Sequence, residues 1–404
     1  MEKVFTTTGL CVPGVHYMVD TTSMIEEIVR DYIAPGRYFT INRGRQYGKT
    51  TTLNLLKRRL RGEYTVIATS FQGIDDEFSS NVVFVGGLFQ DFAQALASCG
   101  EDLAAIFTSP VDPVYSSRDL SRRVTRLCRE SPFPVVLMID EVDRASNNEV
   151  FVNFLALLRE KFLQAAADDV PTFHAVVLAG VTDIRNLKSK IRPEAEHSVN
   201  SPWNIAVPFT VEMAFAAAQI ATMLDDYEAD HRTGMDVAAV AARIEHYSSG
   251  YPFLVSRLCQ ILDATGELWT PSAVDRAESL LVKETNTLFQ SLTKHFADDQ
   301  EFGGLVNRIL HDGDAIDFNP LNPEIDRGIM YGALIERGGK VAIANRTFEG
   351  VLYNYITSTG TVRDTVQPYL GPAAAYVHDG RLDMAGHRQR DRPEHHHHQD
   401  QLSP

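Results

Sequence analysis

A glycine, a lysine and a threonine in succession, Gly48-Lys49-Thr50, end a polar turn between a short apolar strand, Tyr38–Ile41, and an amphipathic helix, Thr50–Arg61. These residue types in this order suit one kind of chemistry. Backbone N–H groups and a helix N-terminus wrap phosphate oxygens, the lysine reaches the β and γ oxygens, and the hydroxyl ligates Mg²⁺. The regular pattern also has a glycine at position 43, where this chain has Arg43, with Gly44 one residue late. Phosphate binding then falls to Arg45, Gln46, Tyr47, Gly48, Lys49, Thr50 and Thr51. Arg43 must take a conformation that needs no left-handed glycine, or the loop is strained there.

A second chemical group follows at Pro134–Glu141, an apolar strand ending in Asp140-Glu141. Asp140, at the strand's C-terminal edge, is placed to hold Mg²⁺ directly or through water, and Glu141 to polarise an attacking water. Parallel sheets place ligands outside the carboxyl ends of their strands, and the phosphate loop leaves the same edge. Alone, each motif is weak, since Lys49 can be an ordinary lysine at a helix start. Together, and with the β-branched strand Tyr64–Phe71 between them in the chain, they predict a nucleotide site. In it Lys49 and Glu141 are catalytic, and Thr50 and Asp140 hold the metal. The intervening strand points to the phosphate-loop enzymes with an extra strand between the two motif strands. After the apolar strand His174–Ala179, Thr182 or Asp183 can sense the γ-phosphate, or simply form a turn and helix cap. Arg159, Arg185 and Arg192 can stabilise transition-state charge, or serve in surface ion pairs.

Composition narrows the setting. At 404 residues the chain can hold two to three cores. A net charge of −15 argues against a broadly basic nucleic-acid surface, though not against a local basic patch. No apolar run reaches membrane-spanning length, and the N-terminus lacks the apolar core of a signal peptide. Cys11, Cys99, Cys128 and Cys259 have neither zinc-site nor disulfide-framework spacing, which fits a reducing cytoplasm.

The positioning elements follow from periodicity. An N-terminal segment, 1–36, ends in an amphipathic helix near Thr22–Tyr32. Residues 37–210 alternate strands and helices, which implies a parallel sheet covered on both faces, with Asn204–Phe209 as a fifth strand and a loop-like stretch up to Val114. Residues 211–295 read as a helical lid, with Thr270 capping a long helix that opens at Pro271. Residues 296–357 combine helices, a short strand near Ile316–Phe318 and a hairpin turning at Gly338-Gly339, the pattern of a small winged-helix-like domain. The tail, 358–404, is weakly patterned, and its histidines His395–His398 can bind metal adventitiously. The fold class expected is α/β: a parallel-sheet P-loop core with a helical lid and a winged-helix-like domain.

Tyr38–Leu55, Asp140–Asn148 and Gly250-Tyr251-Pro252-Phe253-Leu254 together resemble the AAA-like P-loop ATPases of bacteria and archaea, near the STAND and origin-recognition-type ATPases. The resemblance runs through Ser201–Asn204 and Asn345–Glu349 to Tyr355, covering about residues 5–357. It implies ATP and Mg²⁺ as ligands, and places Pro252 against the adenine. Related proteins often continue into a nuclease-like domain; here Tyr376–Met384 looks like its lead-in, without the catalytic core.

Three functions follow as expectations. The first is a slow ATPase switch acting on an unknown protein partner, with ATP-dependent self-association possible and no membrane contact. The second is a nucleic-acid-binding module with an ancillary ATPase, in which Arg327, Lys340 and Arg346 contact phosphates. The third is a nucleotide-binding scaffold that does not hydrolyse.

Overall fold

Four apolar runs form one parallel sheet: β1 (Tyr38–Asn42), β2 (Thr65–Ser70), β3 (Val135–Asp140) and β4 (Ala175–Gly180). The computed structural model describes residues 3–108, 115–145, 148–181 and 203–359, and the backbone of two short strands at 377–378 and 381–382. The strand order is β1-β4-β3-β2. Successive side chains point to opposite faces. Val135, Leu137 and Ile139 of β3 therefore join Val176 and Leu178 of β4 in one core, while Val136 and Met138 join Val177 and Ala179 in another.

Helices cover both cores. On one face lie α3 (Asn81–Leu96), α4 (Glu101–Thr108), α5 (Ser117–Glu130) and α6 (Glu149–Asp168). On the other lie α1 (Thr22–Ile28), which continues as a π-turn over Val29–Ile33, and α2 (Lys49–Arg59).

Three expectations change. The strand lying between β1 and β3 in space is β4, while β2, which separates them in sequence, sits at the sheet edge. The fifth strand, Asn204–Phe209, contracts to one bridge, Phe39 to Val207, with Val207 N–H donating to Tyr38 O at 2.9 Å. Pro208 follows and has no N–H to continue a ladder. The stretch read as loop-like contains α4, held by buried Leu103, Ile106 and Phe107.

The segment expected to form a lid comprises α7 (Ala217–His231), α8 (Val237–Ser248), α9 (Pro252–Thr265) and α10 (Pro271–Leu281). Thr270 caps α10 as expected, accepting from Ala273 N–H at 3.2 Å. That helix is shorter than its pattern: α11 (Thr287–Asp298) starts anew, capped by Asn286. Next come α12 (Gln300–Asn307), extended by a π-turn, and α13 (Pro323–Met330). The hairpin of β5 (Leu334–Arg337) and β6 (Lys340–Ile343) leads to α14 (Arg346–Ser358). Gly338 and Gly339 both have positive φ, 59° and 76°, as a two-residue hairpin turn requires. The expected strand at Ile316–Phe318 is a single bridge, Asp317 to Lys340. The lid and α11–α14 share one continuous apolar core, and Phe5, Tyr17 and Val19 of the N-terminal segment belong to it. No helix among the described residues is long and apolar enough to cross a membrane.

Candidate nucleotide site

β1 delivers the chain to a turn that ends in left-handed Gly48 (φ 78°), the N-cap of α2. Lys49 is the first residue of α2 and is only 8% exposed. Its Nζ donates to Arg43 O and Gly44 O, both at 2.9 Å, so the ammonium is folded across its own loop. An ammonium has three donors, so one remains. Burial pushes the Lys49 pKa down, and Asp143, Asp140 and Glu141 pull it back up.

The departure at Arg43 carries no strain at Arg43 itself. Left-handed φ falls on Gln46 (φ 55°) and Gly48, while Arg43 keeps negative φ. Arg43 N–H donates to Gly180 O (3.3 Å), its guanidinium to Val211 O (3.0 Å), and the guanidinium carbon lies 5.4 Å from the Phe209 ring centroid. Gly44 meets a different demand. A Cβ there would lie 3.2 Å from the Cα of Gly332, at the end of α13, and 3.4 Å from the Tyr251 hydroxyl.

At the end of β3, Thr50 Oγ1 donates to Asp140 Oδ2 at 2.6 Å, and Asp140 Oδ1 accepts from Glu141 N–H at 2.9 Å. Glu141 itself is left-handed, φ 56°. Mg²⁺ takes one or two protein oxygens and completes its shell with phosphate and water. A hydroxyl beside a carboxylate oxygen fits that need, and no cluster of three or more His, Cys, Asp or Glu suited to a metal occurs among the described residues.

Thr50 and Glu141 open on a cleft of about 680 Å³, while Asp140 is buried behind them and does not line it. Gln46, Tyr47, Gly48, Lys49, Thr50, Thr51, Glu141 and Pro252 all line it. Pro252 is the first residue of α9, its ring 3.9 Å from where a Gly48 Cβ would stand. Gly250 is required two residues earlier, because any Cβ there would overlap the Phe215 backbone. Arg45 is not among the lining residues. It is exposed, and its carbonyl accepts from the Tyr251 hydroxyl. Thr182, Asp183, Arg185 and Arg192 lie outside the described residues. Arg159 is on α6 and does not line the cleft.

Sequence reading missed one wall of the cleft, made by Thr6–Cys11 and Tyr17–Val19 of the N-terminal segment. Cys11 N–H donates to Thr51 Oγ1 at 3.3 Å, joining that wall to the phosphate loop's helix. The Thr-Thr-Thr-Gly and Pro13-Gly14 turns were the available signal, but turn residues do not reveal what they face.

The loop is also held from the C-terminal side. Gln46 Nε2 donates to Thr287 Oγ1 at 3.1 Å, and the Tyr251 ring packs edge-on to both Tyr47 (4.7 Å) and Phe348 of α14 (5.3 Å).

Comparison with known proteins agrees with this architecture. The profile of the AAA-like domain family matches residues 14–268. No curated protein matches the chain. Among solved structures, the Walker-type ATPase PABY2304 of Pyrococcus abyssi is 14% identical with a TM-score of 0.55, covering 86% of this chain and 99% of that one. The ORC2 protein of Aeropyrum pernix in ADPNP–ADP complexes is 12% identical (TM-score 0.40; 84% and 94% covered). The ORC1 protein of the same organism in complex with DNA is 14% identical (TM-score 0.34; 87% and 96% covered). At such identity the first of these speaks for the fold alone. The match over residues 14–268 speaks for the family: the chain belongs to the AAA-like family of P-loop ATPases.

Proposed function

We propose that this chain is an ATP-dependent switch that hydrolyses ATP slowly and uses each nucleotide state to set its lid and C-terminal helices against the sheet. One observation carries the reading. The loop that would grip the phosphates is itself gripped by the C-terminal half, through Gly44 against Gly332, Gln46 to Thr287, and Tyr251 to Arg45. A ligand that reshapes the loop acts on those contacts directly, and a bistable interface is what a switch needs. The units involved are a P-loop core (37–210), a lid (211–295) and a winged-helix-like domain built from α12–α14 and the β5–β6 hairpin (296–357).

In this reading the turn amides and the free donor of Lys49 bind the phosphates. Pro252, with Met213, Phe215 and Phe253, supplies the apolar surface for the base. Thr50 and Asp140 hold Mg²⁺, which neutralises charge on the phosphate oxygens. Glu141 accepts the proton of the water that attacks the γ-phosphorus as the bond to the leaving ADP oxygen breaks. Thr182 or Asp183 senses the γ-phosphate.

The nucleic-acid reading finds less support. Arg327 is bound by Asp299 and Glu301, and Lys340 by Asp317 at 2.6 Å. Two of its three phosphate contacts are thus already neutralised by the chain's own carboxylates.

Nucleotide titration and phosphate-release assays on wild type, Lys49→Ala and Glu141→Gln test the proposal. Lys49→Ala should weaken ATP binding about 30-fold or more, the loss of a charge-assisted contact. Glu141→Gln should keep binding and lose about 10²-fold or more in turnover, as for a missing general base. Equal ATP affinity in wild type and Lys49→Ala would sink it.

A further inference from the structure

We infer that Asp143 is a positioning residue for hydrolysis, clipping the turn that carries Glu141 to the end of β4, the strand that also anchors the phosphate loop. The inference rests on the ATPase reading above.

The end of β4 is bonded in two directions. Gly180 O accepts from Arg43 N–H (3.3 Å), where the phosphate loop leaves β1. One residue on, Val181 N–H donates to Asp143 Oδ1 at 3.0 Å. Because β4 lies between β1 and β3, this pair of bonds is a direct hydrogen-bonded route from the loop to the turn after β3. That turn needs such a tie. Glu141 is left-handed without being glycine, a conformation that costs about 1 kcal/mol and persists where the surroundings hold it.

The fit at Gly180 is specific to this clip. A Cβ there would lie 2.7 Å from Asp143 Oδ1, 3.1 Å from Val142 Cγ2 and 3.3 Å from Asp143 N. Gly180 does not have positive φ, so its bare Cα serves close approach and not backbone freedom. Two residues distant in sequence, an aspartate and a glycine, are thus matched to bring one carboxylate against one amide. Neither lines the cleft, so Asp143 acts through Glu141, the loop and the charge it places near Lys49. A misplacement of about 1 Å at a reacting group costs on the order of 10²-fold in rate.

The test compares steady-state ATP hydrolysis, ATP affinity and Tm for wild type, Asp143→Ala, Asp143→Asn and Gly180→Ala. Asp143→Ala should lower kcat about 10- to 100-fold, with KM for ATP within about threefold. Asp143→Asn keeps an oxygen acceptor for Val181 N–H while removing the charge near Lys49, and should retain kcat closer to wild type than Asp143→Ala does. Gly180→Ala pushes the carboxylate away and should repeat the kcat loss. The Asp143→Ala/Gly180→Ala pair should be no worse than either alone, because both break one contact. If Asp143→Ala does not fold, Gly180→Ala decides. Wild-type kcat in the folded variants overturns the inference, as does a fall in kcat matched by KM and Tm in Asp143→Asn as in Gly180→Ala. A wild type that binds ATP and never turns over refutes the ATPase reading instead.

Discussion

Arg43 occupies a place where phosphate loops usually have glycine, and its side chain is employed away from the phosphates. Its guanidinium caps Val211 O and lies over the Phe209 ring, and Arg43 does not line the cleft. Restoring the regular motif should therefore not improve the site. Arg43→Gly removes a hydrogen bond to a part-buried carbonyl and a cation–π contact and adds backbone freedom, a loss of about 1–2 kcal/mol. The expected outcome is a lower Tm with ATP affinity unchanged or weaker, read by thermal melts and nucleotide titration; tighter ATP binding would contradict it. Gly48, Lys49, Thr50, Asp140 and Glu141 could be nominated from sequence because the chemistry expected of them is local to a strand end and a helix start. The use of Gly44 was not legible. What favours a glycine there is the close Cα of Gly332, most of the chain away, and spacing along one loop carries no trace of it.

Elements were legible where one residue pattern decides them and lost where tertiary contacts do. The wholly apolar runs of β3 and β4 marked buried parallel strands. Their neighbours in space did not follow, since chain order places β2 between the motif strands and the sheet places β4 there. The lid shows an effect that no pattern reveals. Glu278 of α10 faces α14, where a Cβ on Gly350 would stand 3.8 Å from its Oε1. Burial, and then Asp275 one turn back, push its carboxyl up to about 7. Asp275 is itself held by Arg243 and Tyr247 of α8. An acid whose folded pKa exceeds its unfolded value keeps its proton longer in the folded state. Stability is then lost as pH rises from the ordinary carboxylate range to about 7, and stays reduced above it. Glu278→Gln removes that ionisation, so it should raise Tm by about 2–4 °C at pH 8, with the gain closing by pH 4. Melts at the two pH values check this, and a gain of the same size at both would assign the effect to packing.

At the scale of the whole molecule, the shared core decides how many bodies the switch has. The lid, α11–α14 and the first residues of the N-terminal segment bury their apolar side chains together, while the sheet's two cores are separate from theirs. Interiors are close-packed and resist continuous deformation, so the lid and the C-terminal helices should move as one. The three units proposed from sequence thus reduce to two moving parts. The loop contacts at Gly44, Arg45 and Gln46 are where one part touches the other, and each hydrogen bond there is worth about 1 kcal/mol. Losing two of them shifts a two-state equilibrium more than tenfold. Distance measurements between labelled cysteines can see this. Arg58 of α2, Asp225 of α7 and Arg337 of β5 are exposed. Of the native cysteines Cys99 is exposed and needs replacing, while burial pushes the Cys11 thiol up to about 11 and that of Cys128 to about 12, which slows their labelling. Adding ATP with Mg²⁺ to the Glu141→Gln protein should change the Arg58→Cys to Arg337→Cys distance by several ångströms. The Asp225→Cys to Arg337→Cys distance should stay constant within about 2 Å, as a shared close-packed core demands. A lid that moves relative to Arg337 would mean that the common core divides when nucleotide binds, and three parts would then be right.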